Sequence, residues 1–183
     1  MPYIHRRKNG GNRGDGLTFS VGDRVLHPLH GAGTVTSICV RPPDRQSYYV
    51  LQLALDGATV YVPVSGAARV GLRPVCSERE AQRLLCGAVG ALPPQPSDWS
   101  ARYRENMARV RSGETRQVAQ VVCCLRRRNR RRALTGSEKR MLECAERILH
   151  SELMLAAGLE REAVSRRLER IWNRLNEPGE SNG

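Results

Sequence analysis

Trp99, Arg102 and Arg104 share one short segment, SDWSARYRENMARVRSG (residues 97–113), in a chain with only 1 Phe, 5 Tyr and 2 Trp among 183 residues. A tryptophan flanked by arginines suits one kind of contact with nucleic acid. Its flat apolar face stacks on bases or inserts beside them in a minor groove while the guanidinium groups hold phosphates. The same residues also admit a structural reading. Trp99 and Tyr103, at i and i+4, would then pack into a core continued by Asn106, Met107 or Val110. On residue types alone both readings stand.

A second group is RRRNRRR, residues 126–132. Cations suit a helix C-terminus, where they meet the negative end of the dipole. Six arginines in seven positions exceed what that role requires. The excess points to a nucleic-acid backbone or an acidic protein surface, with Arg126, Arg127, Arg128 and Arg130 as candidate DNA contacts. The block lacks the docking pattern of a recognition helix, so no sequence readout is expected. Charge along the chain agrees. The net charge is +12, yet residues 97–132 carry eleven basic and three acidic side chains, whereas residues 133–183 carry eight and nine. A solvated surface normally mixes signs, so this concentration implies a polyanionic partner.

Other chemistries find no footing. There is no H-E-x-x-H, no G-x-S-x-G, no phosphate loop and no paired acidic site, and the chain reads as a non-enzyme. His27 and His30 flank a Pro-Leu pair without Cys, Asp or Glu at ligand spacing, so they read as turn residues rather than a metal pair. No metal or cofactor is expected. The six cysteines, at 39, 76, 86, 123, 124 and 144, contain no C-x-x-C and read as small buried groups in a reducing compartment. No apolar run approaches the ~20 residues of a membrane span. The first residues lack the apolar stretch of a signal peptide, and a cytoplasmic location is expected.

The elements that must position these groups fall into two classes, an α+β arrangement of two domains. Residues 1–18 read as a disordered basic tail. Residues 19–76 hold short β-rich runs (DRVLHP, AGTVTSICV, SYYVLQLAL, ATVYVP) broken by Gly, Pro and Asp, the pattern of a small Tudor- or SH3-like antiparallel β domain. Gly31 and Gly33 fit a tight turn or bulge where that sheet bends. Tyr48 and Tyr49 fall on opposite faces of their strand. Residues 77–97 form a short helix, opened by a Ser77/Glu80 capping box, and a stiff linker with Pro93, Pro94 and Pro96. An all-α domain follows over 98–175. Its first helix has Ser97 as N-cap and stops at Gly113. The next runs over about 114–129, with Val118, Val121, Val122 and Leu125 on one face. A long helix capped by Thr135 and Glu138 reaches about Ala157, and the last, about 160–175, buries Val164, Leu168, Ile171 and Leu175. Residues 176–183 read as a frayed tail.

In order and spacing, FSVGDRVLHPLHGAGTV, YYVLQL…VYVPV, VGLRPV, DWSARYRENMARVRSG, VAQVVCCL and LTGSEKRMLECAERILHSEL resemble the CarD/CdnL family of bacterial transcription regulators over roughly residues 19–157. The resemblance implies a Tudor-like domain that binds the β-subunit lobe of RNA polymerase, a domain shared with the transcription-repair coupling factor. It also implies a helical domain touching promoter DNA at the upstream edge of the melted bubble, where an exposed tryptophan wedges into the minor groove. By position Trp99 is that wedge, with Arg102 and Arg104 at flanking basic sites. Ala101 stands where relatives can carry Arg. Arg41 matches a basic position of the polymerase-facing sheet, and Tyr61 stands where relatives often have Arg. The expected protein is a monomeric regulator of initiation that stabilises the open promoter complex. A general nucleic-acid-binding module and an adaptor without DNA contact are the alternatives.

Overall fold

The computed structural model describes residues 18–43 and 45–176. The expected basic tail, apart from Thr18, and the expected frayed tail, apart from Asn176, lie outside the described residues, as does the side chain of Leu175.

Five strands form one antiparallel sheet: β1 (Arg24–His27), β2 (Gly31–Arg41), β3 (Gln46–Leu53), β4 (Thr59–Pro63) and β5 (Arg73–Pro74), in the order β4-β3-β2-β1-β5. Period-two alternation on β3 sends Tyr49 and Leu51 into a core with Phe19, Val25, Val35, Val62 and Leu72. Tyr49 also accepts a hydrogen bond from the Phe19 N–H at 3.1 Å, so its buried hydroxyl is satisfied. Tyr48 falls on the opposite face, half-buried.

The bulge in β2 lies between Val35 and Ser37, not at the glycines. Gly31, as expected, closes the tight turn between β1 and β2, and both glycines are also required by close approach. A Cβ on Gly33 would stand 2.5 Å from the Gln52 carbonyl oxygen across the ladder. Gly31 has φ +95°, and its Cβ would stand 2.6 Å from Ser151 Oγ.

Five helices follow: α1 (Glu78–Leu85), α2 (Trp99–Arg111), α3 (Thr115–Arg131), α4 (Gly136–Ala157) and α5 (Arg161–Asn176). Ser77 caps α1, its Oγ accepting from the Glu80 N–H at 3.2 Å. The left-handed Gly113 follows α2. Helix α3 runs two residues further than its apolar periodicity required, carrying the arginine block as its last turns. Helix α4 is central. Its Ala145, Ile148, Leu149 and Leu153 meet Val118, Val121, Val122 and Leu125 of α3, with Val164, Leu168 and Ile171 of α5 and Leu84 of α1 in the same core. Trp172 is buried there too, at 2% exposure. Among the described residues no helix is long and apolar enough to cross a membrane.

The sheet packs directly on α4. Leu26 and Ala32 belong to the helical core, and the Ala32 N–H donates to Ser151 Oγ at 2.8 Å. Arg24 donates to the Leu155 carbonyl at 2.6 Å and Arg147 to the Leu29 carbonyl at 3.0 Å. Arg73 grips Glu152 with both nitrogens, at 2.6 and 3.0 Å, and the Cys76 N–H adds a third bond at 2.9 Å. The proline stretch is likewise fastened. Gln120 donates to the Val89 and Ala91 carbonyls, and the Gln95 and Asn106 side-chain amides pair at 2.9 and 3.3 Å.

Candidate nucleic-acid interface

Trp99 is the first residue of α2, one turn from nothing but the linker. Asp98, not Ser97, caps this helix, its carboxylate accepting from the Ala101 N–H at 2.7 Å. At such a start the preceding turn that would cover the side chain is missing. Trp99 is accordingly 44% exposed. It is also held. Its ring stacks on Tyr103, with centroids 5.6 Å apart and planes at 25°, and its Nε1 donates to Thr135 Oγ1 at 3.4 Å.

The buried face of α2 is Arg102, Asn106 and Val110, at i, i+4 and i+8. Tyr103 and Met107 only lean on the core. This corrects the expectation for Arg102. It is 3% exposed, its Nε donates to Glu138 at 3.2 Å, and its Nη1 reaches the carbonyls of Pro96 at 2.9 Å and Ser97 at 3.1 Å. A guanidinium so occupied presents no fork to a phosphate; Arg102 positions the linker and the start of α2. Arg104 is exposed and points away from the bundle.

Glu138 organises the surroundings. It sits at N3 of α4 in a reciprocal capping box with Thr135. Its Oε2 accepts from the Thr135 N–H at 3.0 Å and hydroxyl at 3.1 Å, while Thr135 Oγ1 accepts from the Glu138 N–H at 3.3 Å. The single Thr135 proton goes to Glu138, leaving its lone pairs for the Glu138 N–H and the indole. Glu138 Oε1 lies 3.2 Å from Arg102 and 3.3 Å from Arg128. Burial pushes the carboxyl's pKa up, but the Thr135 N–H, Arg102, the Thr135 hydroxyl and Arg128 outweigh it and hold the pKa below its ordinary value.

The arginine block divides by helical face. Arg126 and Arg130 are i, i+4 neighbours turned towards α4 and α5. Arg126 pairs with Glu146 at 2.5 Å and Glu169 at 2.9 Å and lies over the Trp172 ring at 5.8 Å. Arg130 donates to Asn173 at 3.0 Å. Arg126 is thus half-buried against α4 and α5, whereas Arg130 reaches Asn173 at the exposed surface. Arg127, Arg128 and Arg131 lie on the other face with Cys124 and, together with Arg132, line a cleft against Leu92, Pro93 and Pro94. Arg131 and Arg132 belong to the 126–132 block but were not among its named DNA contacts; the phase of α3 puts Arg131 with Arg127, and Arg132, in extended backbone just past the helix, joins them.

On the sheet, Arg41 and Tyr61 come together. The Arg41 guanidinium lies 4.2 Å above the Tyr61 ring centroid. Pairing of Val50 with Tyr61 and of Cys39 with Tyr48 puts these residues and Arg41 on one outer face, and Tyr61 is 44% exposed. His27 Nδ1 accepts the N–H groups of Leu29 and His30 in the turn, and the two imidazole rings lie 4.5 Å apart.

Two family models match the chain in succession. Residues 19–76 match the CarD-like/TRCF RID domain, an RNA polymerase-interacting domain, and residues 91–169 match the CarD C-terminal domain. The chain is also similar to YdeB of Bacillus subtilis (strain 168), by name a candidate transcription factor, with 30% identity over 148 residues covering 80% of this chain and 97% of that one. A polymerase-interacting β domain, followed by a helical domain with a half-open tryptophan beside an arginine-lined cleft, places this chain in the CarD family of transcription factors, which interact with RNA polymerase.

Proposed function

We propose that the protein regulates transcription initiation by binding the β-subunit lobe of bacterial RNA polymerase through its sheet and stabilising the open promoter complex through Trp99. The outer sheet face around Arg41 and Tyr61 makes the polymerase contact. Trp99 inserts into the minor groove at the upstream edge of the bubble, and basic side chains, Arg104 among them, contact the phosphates. The protein acts as a monomer in the cytoplasm, associated with the nucleoid through polymerase.

One observation supports this reading above the others: Trp99 is 44% exposed yet anchored on Tyr103 and Thr135. An apolar ring held in place at a surface loses little rotamer freedom when it binds. Polymerase tethering raises its local concentration at the promoter. Stacking by one aromatic contributes about 1–3 kcal/mol, or about 5- to 150-fold in population. Only the part of that affinity specific to the open state shifts the equilibrium. The wedge requires no base-specific hydrogen bond, so sequence preference is slight and binding to free DNA is weak and salt-sensitive.

The test is the lifetime of the open complex on an unstable promoter, with cognate polymerase and either wild-type protein or Trp99→Ala. Wild type lengthens the lifetime and the folded variant, still bound to polymerase, does not. Equal stabilisation by the variant would remove Trp99 from the mechanism. Failure of both to bind polymerase, with tight binding to naked nucleic acid, would mark a general nucleic-acid module.

A further inference from the structure

A second group of arginines lies at the other end of α3 from the arginine block. Arg79, Glu80, Arg83 and Leu84 of α1, Ala88 beyond its end and Arg116 in the first turn of α3 line a hollow of about 390 Å³. Fifteen residues of α3 separate Arg116 from Arg131, about 22 Å along the helix. The guanidinium groups of Arg79, Arg83 and Arg116 form no ion pair or hydrogen bond among the described residues. Arg79 and Arg83, at i and i+4 on α1, repel each other at that spacing. Glu80 stands among them and pairs with none. It also leaves the expected capping box half made. Ser77 Oγ accepts from the Glu80 N–H, but among the described residues the carboxylate makes no return bond. Three cations, one carboxylate and the apolar Leu84 and Ala88 thus border one hollow without pairing with one another.

We infer that this hollow binds a nucleoside diphosphate whose base carries an exocyclic amino group. The arginines supply unoccupied forks for the phosphate oxygens, the geometry in which guanidinium binds phosphate best. Leu84 and Ala88 offer an apolar surface for the flat base. The Glu80 carboxylate, an acceptor only, takes the amino group's N–H. That carboxylate also decides between ligand classes. A DNA backbone or an acidic peptide would set its own charge against Glu80, whereas a nucleotide brings anionic and donor groups at opposite ends. Uracil is disfavoured, because its one N–H lies between two carbonyls that a carboxylate repels. The volume falls within the range of small-ligand sites, about 300–1,000 Å³. A ligand seated here joins α1 to α3, so it should also stabilise the folded chain.

The experiment is isothermal titration calorimetry of the full-length protein with ADP, GDP and UDP at one fixed salt concentration. ADP and GDP bind one to one and raise the melting temperature, and UDP binds more weakly than either. Hydrogen bonds to charged groups are each worth about 10- to 150-fold in affinity. Arg83→Gln/Arg116→Gln therefore weakens ADP and GDP by at least about tenfold. Glu80→Ala, which keeps the Ser77 cap, erases the preference over UDP. The pair Arg167→Gln/Arg174→Gln, on α5 and outside the hollow, leaves all three affinities unchanged. Several outcomes overturn the assignment. One is no saturable binding of ADP or GDP by about 1 mM. Another is equal weakening by both arginine pairs, which would mark diffuse attraction of anions to a basic chain. UDP binding as tightly as ADP would leave a site for phosphate alone. Displacement of ADP by a short DNA duplex, with Arg83→Gln/Arg116→Gln weakening the duplex as well, would assign the hollow to nucleic acid instead.

Discussion

Arg102 meets Glu138 at 3.2 Å with both side chains closed to water, three residues along α2 from an indole that is 44% exposed. The arrangement inverts the simple picture of arginines outside and tryptophan inside. The buried pair closes the start of α2 onto the start of α4, and Thr135, in the same capping box, holds the indole at the surface. Stability and the presentation of Trp99 therefore depend on the same few bonds.

Glu138→Gln is expected to destabilise the protein by about 3 kcal/mol at neutral pH, because Arg102 becomes a buried cation without its counter-charge. Denaturant melts check this. The folded carboxyl pKa lies below its ordinary value, so its contribution is present above the ordinary range, ~4.3, and disappears as pH falls through the folded value. The gap between wild type and variant should close below pH ~4.

Trp172 is buried at 2% exposure, so replacing it by Phe isolates the emission of Trp99. That emission should be red-shifted and open to acrylamide. Thr135→Val, which removes the indole's acceptor and the α4 cap, should raise quenching further and cost about 1 kcal/mol in a thermal melt. A blue-shifted, shielded signal would refute the surface position.

The His27 ring has its pKa lowered from 6.5 to about 4, first by burial and then by His30 beside it. The unfolded chain therefore binds a proton that the folded chain refuses. Stability is fully present above pH 6.5 and declines as pH falls towards 4. His27→Asn, which keeps a side-chain acceptor for the turn, should flatten the stability profile across that window.

Glu152 is fully buried and bonded by Arg73 and the Cys76 N–H where the sheet meets α4. Glu152→Ala should destabilise by about 3–5 kcal/mol. Limited proteolysis within 77–97 should accelerate if this contact holds the two parts together; an unchanged cleavage rate would argue against it.

Much of this molecule was legible from local pattern. Alternation marked the strands, Gly and Pro marked their turns, and Val118–Leu125 showed one face of α3, because backbone periodicity translates directly into apolar spacing. Thr135 and Glu138 announced their capping box for the same reason: its bonds span three residues. What the sequence could not assign were side chains whose role depends on a distant partner. Arg102 and Arg104 are the same residue type two positions apart, yet one is sealed against Glu138, 36 residues on, and the other faces solvent. In the arginine block a uniform composition hid two faces. Glu146 and Glu169 claim Arg126, Glu138 claims Arg128, and Arg127, Arg131 and Arg132 are left to line the cleft. A charge is used internally or presented outward according to which carboxylate folding brings beside it. That is a property of the packed structure, not of the segment.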